Sequence, residues 1–205
     1  MKAGTRGGRA KHAAFALSRA YLVALLVGVL LSGCAVVPEL AGELAPAQGF
    51  ALTARIGVRA GTEGFSGGVR WVHEPRQDRI EISSLLGQMV AQIEFNAQGA
   101  ALQLPERKVQ SETLSELMQR EMGWVLPLEG LADWVRALPR RGVPFEAERD
   151  DAGRLLILRQ DGWVIEYQRY FESVIMTERP SRLVLRRGDL ELRLVIDSWA
   201  RDSGA

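Results

Sequence analysis

Two short stretches of this chain carry side chains able to do covalent chemistry. Leu31-Ser32-Gly33-Cys34 encloses the only cysteine among 205 residues. A lone thiol has no partner for an internal disulfide, so the chemistry open to Cys34 is modification at sulfur. What precedes it points the same way. Lys2, Arg6, Arg9, Lys11 and Arg19 form a basic stretch without an acidic residue, and residues 22–31 are an apolar run that ends in small residues. That is the grammar of a signal peptide, with Leu-Ser-Gly-Cys as a lipobox. The run is about half of the roughly 20 residues a helix needs to span hydrocarbon. Residues 1–33 are therefore expected to be a cleaved lipoprotein signal peptide. Acylated Cys34 would begin the anchor and tether 34–48, in which residues 38–48 are rich in Ala, Gly, Pro and Glu, and 49–205 would form the folded domain. Several acyl chains on one cysteine hold a protein firmly, because each buried CH2 contributes about 0.8 kcal/mol.

The second stretch is Gly64-Phe65-Ser66-Gly67-Gly68, which fits the Gly-x-Ser-x-Gly pattern of a hydrolase nucleophile. That motif needs a strand-to-helix elbow and a base within reach. Here Ser66 begins a strand, and His73, the only histidine beyond the signal segment, lies seven residues along it, about 23 Å away if extended. An enzyme is not expected. A single histidine without cysteine partners holds no metal, and no Gly-x-x-x-x-Gly-Lys-Ser/Thr loop occurs, so no cofactor is expected either. Glu146, Glu148, Asp150 and Asp151 read as a solvated charged loop rather than a cation site.

Charge narrows the partners. The whole chain has 26 basic and 25 acidic residues, but without the five signal-segment cations 21 face 25, a formal charge of −4. Nucleic acid, which needs a basic footprint, is not an expected partner. The remaining length is one domain's worth, enough to bury a core without disulfides or metal.

The elements that must position any site are mostly strands. Phe50, Leu52, Ala54, Ile56 and Val58 alternate with more polar residues, and the same period of two recurs at Phe65–His73, Arg79–Ser83, Met89–Phe95 and Ala101–Leu104. Arg154–Arg159 and Trp163–Tyr170 flank Gln160-Asp161-Gly162, a tight hairpin signal, and Leu183–Arg186 and Leu190–Ile196 flank Arg187-Gly188-Asp189. Two helices interrupt the strands. Thr113-Leu114-Ser115-Glu116 has capping-box spacing ahead of Leu117 and Met118, and Leu128, Leu131, Trp134, Val135 and Leu138 recur at helical spacing between Pro127 and Pro139. The pattern predicts a mainly β (α+β) fold, a strongly curved antiparallel sheet with helices covering an apolar cavity.

The joint order of several segments is similar to the LolB family of outer-membrane lipoproteins. They are Phe65-Ser66-Gly67-Gly68-Val69-Arg70-Trp71, Ser84-Leu85-Leu86-Gly87, Gly123-Trp124-Val125-Leu126-Pro127-Leu128, Gly162-Trp163 and a terminal Trp199, all following a lipobox. The resemblance implies a half-open β-barrel with helices over its mouth, in a protein that accepts lipoproteins from the periplasmic carrier LolA, shelters their acyl chains in an apolar cavity and inserts them into the outer membrane. It would be a monomer, lipid-anchored in the inner leaflet of that membrane and facing the periplasm. Ala35, where an Asp would resemble an inner-membrane retention signal, fits that address. Val69, Trp71, Ile82, Leu131, Trp134, Trp163 and Leu192 are candidates to line the acyl-chain cavity, although the same periodicity fits filled core. The resemblance also singles out Leu85, Leu86 and Gly87. The family's corresponding turn is commonly Pro-Leu-Gly and projects its leucine into solvent as a membrane-insertion loop; here Leu85 stands in the proline position. A structural or envelope-assembly lipoprotein, presenting the curved sheet to a protein partner, remains the alternative.

Overall fold

The computed structural model describes residues 49–122, 125, 128–172 and 179–200. The lipobox with Cys34, the tether up to Gln48, and Gly123, Trp124, Leu126 and Pro127 lie outside the described residues. Within them, eleven antiparallel strands form one sheet: β1 (Phe50–Ala60), β2 (Glu63–Glu74), β3 (Gln77–Ser83), β4 (Met89–Asn96), β5 (Gly99–Gln103), β6 (Lys108–Ser111), β7 (Phe145–Arg149), β8 (Leu155–Gln160), β9 (Trp163–Tyr170), β10 (Pro180–Arg187) and β11 (Leu190–Trp199). Helices α1 (Leu114–Met122) and α2 (Leu128–Trp134) come between β6 and β7. The sheet order is β6-β5-β4-β3-β2-β1-β11-β10-β9-β8-β7, so two meanders join where β1 pairs with β11. Neither end strand, β6 nor β7, pairs with the other, and the barrel stays open.

Register explains why one face is apolar throughout. Leu52 lies opposite Trp71, Ala54 opposite Val69 and Val58 opposite Phe65, and the set continues through Ile80 with Ile93 and Val58 with Leu192. Directly opposed residues share a face, so alternating apolar residues on each strand build one continuous inner surface. The outer face is charged. Arg186 bonds Glu166 and Glu191, Arg193 bonds Glu191 at 2.7 Å, and Arg79 bonds Glu94 at 2.8 Å. The Arg186 guanidinium, followed by that of Arg193, holds the Glu191 carboxyl below the usual carboxylate range, and Arg79 does the same to Glu94.

Two short strands escape the sequence pattern. β6 has only Val109 as an apolar residue, and β7 contains Glu146 and Glu148, read from sequence as loop. Both are edge strands: β6 lacks the apolar alternation that marks inner strands, and β7 alternates only Phe145 and Ala147 with its acidic residues and is exposed throughout. Asp150 and Asp151 do occupy a turn, in which Asp150 accepts from the backbone amides of Ala152 and Arg154.

The helices begin where expected, and α2 stops early. Thr113 Oγ1 accepts from the Glu116 amide at 3.2 Å, the cap anticipated, while the Glu116 carboxylate takes a bond from Ser111 instead of closing the box. Beyond Trp134 the chain turns. Leu138 N donates to Asp133 O, Ala137 N donates to Trp134 O, and Ala137 adopts φ 56°, a Schellman ending with alanine where glycine is usual. Leu138, expected on the helix's apolar stripe, is consequently exposed.

Candidate functional site

A hollow of about 260 Å³ opens on the inner face of β1–β4, between the sheet and the helices. Leu52, Ile56 and Val58 of β1, Phe65, Val69 and Trp71 of β2, Ile80 and Ile82 of β3, and Val90, Ala91 and Ile93 of β4 form its wall. Leu194 closes one side, with Met118 of α1 and Leu128 and Leu131 of α2 above. Every lining side chain is apolar. The indole of Trp71 is their sole hydrogen-bond donor, and it is turned into Asp78 Oδ1 at 2.7 Å. Asp78 also meets His73 Nδ1 at 2.8 Å, and Phe50 packs on both rings, with centroids 5.0 Å from Trp71 and 4.9 Å from His73.

This arrangement defines what the hollow can hold. A water needs two to four polar partners, and an apolar void without them stays dry and takes apolar ligands. Protein interiors leave few voids larger than a water. At about 24 cal/mol per Å³, a sealed void of this size would cost about 6 kcal/mol, comparable with the whole stability of a small domain. An open hollow with this lining suits an apolar ligand rather than water.

Of the residues singled out from sequence, Val69, Trp71, Ile82 and Leu131 line it. Trp134, Trp163 and Leu192 do not, which corrects the sequence assignment. All three are completely buried, packed in solid core on the β8–β11 side. Trp134 and Trp163 rings meet with centroids 6.3 Å apart. Gln160 locks Trp134 in place: its Oε1 accepts from Trp134 Nε1 at 2.9 Å and from Arg140 N at 2.8 Å, and its Nε2 donates to the carbonyls of Arg140 and Val143. Tyr167 donates its hydroxyl to Trp134 O at 2.9 Å, and burial pushes its phenol pKa up. Trp134, fixed by these contacts, cannot retract to leave space.

Sequence reasoning missed Asp78 and Gln160. Each was legible as a polar residue on an inward position of its strand, Asp78 two before Ile80 and Gln160 two after Leu158. Ser66 and His73, the hydrolase-like pair, sit near opposite ends of β2, and His73 is engaged with Asp78. Two glycines of that stretch have a packing reason: a Cβ on Gly67 would collide with the Ser83 carbonyl oxygen of the neighbouring strand, and one on Gly68 with Ser83 Oγ.

The β3–β4 turn stands at one end of the hollow, bracketed by the lining residues Ile82 and Val90. Ser84 N donates to Gln88 O at 2.8 Å, Gly87 N donates to Ser84 O at 2.9 Å, and Gly87 has φ 79°. This is a three-residue hairpin loop with glycine in the left-handed position. Ser84 Oγ also accepts from Leu86 N. A tight turn whose polar groups bond one another has no inward space for its first two side chains. Leu85 and Leu86 are 79% and 82% exposed, and Met89 beside them is half exposed.

Comparison with known proteins agrees with this geometry. Residues 48–199 match the family described as outer membrane lipoprotein LolB. The chain is 38% identical over 173 residues to the outer-membrane lipoprotein LolB of Thiobacillus denitrificans, covering 82% of this chain and 91% of that protein. It is 35% identical over 190 residues to that of an Azoarcus species, covering 89% and 96%. Among solved structures, a LolA superfamily protein from Nitrosomonas europaea superposes with a TM-score of 0.51 at 12% identity, covering 82% of this chain and 92% of that one, a likeness of fold. With the family matched across the whole described sheet and the relatives matched over nearly their full length, the chain belongs to the LolB family of outer-membrane lipoproteins.

Proposed function

We propose that this protein is a lipid-anchored receptor of the outer membrane that accepts lipoproteins from a LolA-type periplasmic carrier, shelters their acyl chains in the β1–β4 hollow and delivers them to the bilayer. The observation that carries the reading is a wholly apolar hollow ending beside two exposed leucines. Acyl chains leaving a carrier lose contact with water inside such a hollow, at about 25 cal/mol per Å². Cys34 is the attachment point of the anchor. Leu85 and Leu86 enter the bilayer surface and give the chains an apolar route out. The sequence has no Gly-x-x-x-x-Gly-Lys-Ser/Thr loop to draw on nucleotide hydrolysis, and direction is assigned to rising affinity along carrier, receptor and membrane.

A transfer assay from loaded carrier to phosphatidylethanolamine vesicles tests this. Leu86→Glu is expected to keep the fold and acceptance from the carrier but to block delivery. Cys34→Ala is expected to accept lipoprotein as a soluble form. Loss of acceptance in Leu86→Glu would sink the separate role of the turn. An absence of acyl uptake by the unaltered protein would favour the structural lipoprotein instead.

A further inference from the structure

Beyond the main hollow lies a second of about 100 Å³, lined by Val58, Ala60, Glu63, Gly64 and Phe65 at the β1–β2 hairpin. Val58 and Phe65 line both, and they face each other across β1 and β2. The partition between the two spaces is therefore one cross-strand pair. Its halves differ in freedom. Val58 is 6% exposed and β-branched, with its χ1 restricted. Phe65 is only half-buried, and no side chain hems it in along its own strand on the inner face: Glu63 on one side is exposed, and Gly67 on the other has none. The β2–β3 pairing reaches only as far as Gly68 with Ser83, so Phe65 has a strand neighbour on the β1 side alone. Its ring rests on Gly67, where a Cβ would lie 2.8 Å from Cζ.

We propose that Phe65 is the gate of the acyl-chain hollow. With its ring down on Gly67 it separates the two spaces. Rotation about χ1 lifts it off the bare glycine and joins them into one apolar channel that emerges at Gly64 and Glu63. Half-buried side chains exchange rotamers far faster than a sheet rearranges, so the gate opens without disturbing the strands. This rests on the reading that the hollow holds acyl chains.

The test uses the full chain anchored in phosphatidylethanolamine vesicles and palmitate spin-labelled at its tail, with stopped-flow quenching of Trp71 as the readout. Trp71→Phe supplies the background, since Trp134 and Trp163 lie outside the hollow. Phe65→Ala is expected to speed uptake by about tenfold, the factor set by removing about 1.4 kcal/mol from a barrier, and to speed release by at least as much, because the variant also loses apolar wall. Phe65→Leu keeps an apolar wall and is expected to lie between, which carries the test should the alanine variant fold poorly. Phe65→Trp should slow uptake. Unchanged rates in Phe65→Ala and Phe65→Leu, or faster release with uptake unchanged, would make Phe65 a plain wall residue and overturn the gate while the acyl-chain reading stands. No quenching in the unaltered protein would overturn both.

Discussion

The two halves of the sheet start from the same pattern and end differently. On β1–β4 the inner face carries Val58, Val69, Ile80, Ile82, Ala91 and Ile93 and leaves a hollow; on β8–β11 it carries Trp163, Tyr167, Leu183 and Leu185 and is solid. The aromatic residues of the two halves are also tied differently. Trp71 is pulled to the wall by Asp78, whereas Trp134, reaching down from α2, is held over the middle of its half by Gln160 and Tyr167. A polar partner placed behind a tryptophan keeps space open, and one placed beneath it closes space.

Substitution of a tryptophan on the filled side is the strongest way to break that contrast. Trp134→Ala should destabilise by about 3–5 kcal/mol, through a cavity and the lost bond to Gln160, as measured by urea unfolding. Ala91→Leu on the hollow side is the counterpart. Its added methylenes occupy existing space, so stability should stay within about 1 kcal/mol while acyl-probe binding falls about tenfold or more. A loss of stability like that of an overpacked core would mean the two halves are packed alike.

A smaller effect sits at the end of α2, which sets the filled half against the sheet. Ala137 holds φ 56°, and Ala137→Gly should stabilise by about 1 kcal/mol, visible as a raised midpoint in the same unfolding curve. The smallest effect concerns the outer face, which the two halves share in kind. Glu191 and Glu94 both have lowered pKa values. A lowered value in the fold adds stability that is complete above the unfolded value, about 4.3, and fades as pH falls through the folded one. The advantage of the unaltered protein over Arg186→Ala, and over Arg79→Ala, should therefore shrink as pH drops below about 4.3 in acid unfolding. A marked difference between the two variants would show that the contrast extends beyond the inner face.

Much of the architecture was legible in particular residues. Trp163–Tyr170 matches β9 at both ends, and Asp161-Gly162 takes the paired positive dihedrals its sequence favours, φ 52° and 74°. Thr113 caps α1 as its spacing implies. The edge strands β6 and β7 were not legible, because β6 carries a single apolar residue and the short alternation of Phe145 and Ala147 in β7 sits among acidic residues that read as a solvated loop. The early stop of α2 was hidden too, since Ala137 and Leu138 are both good helix formers and only the Asp133 and Trp134 carbonyls reveal the turn.

By itself, the amino-acid order determined which residues face inward, where the hairpins fall and that Leu85 and Leu86 occupy a turn, since each follows from local periodicity and backbone preference. Only the tertiary structure decided which inward residues enclose space. Val69, Trp71, Ile82 and Leu131 surround the hollow, while Trp134, Trp163 and Leu192 fill solid core with the same periodicity. Periodicity reports the direction of a side chain, but a void is set by the volumes and hydrogen-bond partners that meet it from strands and helices far away in sequence.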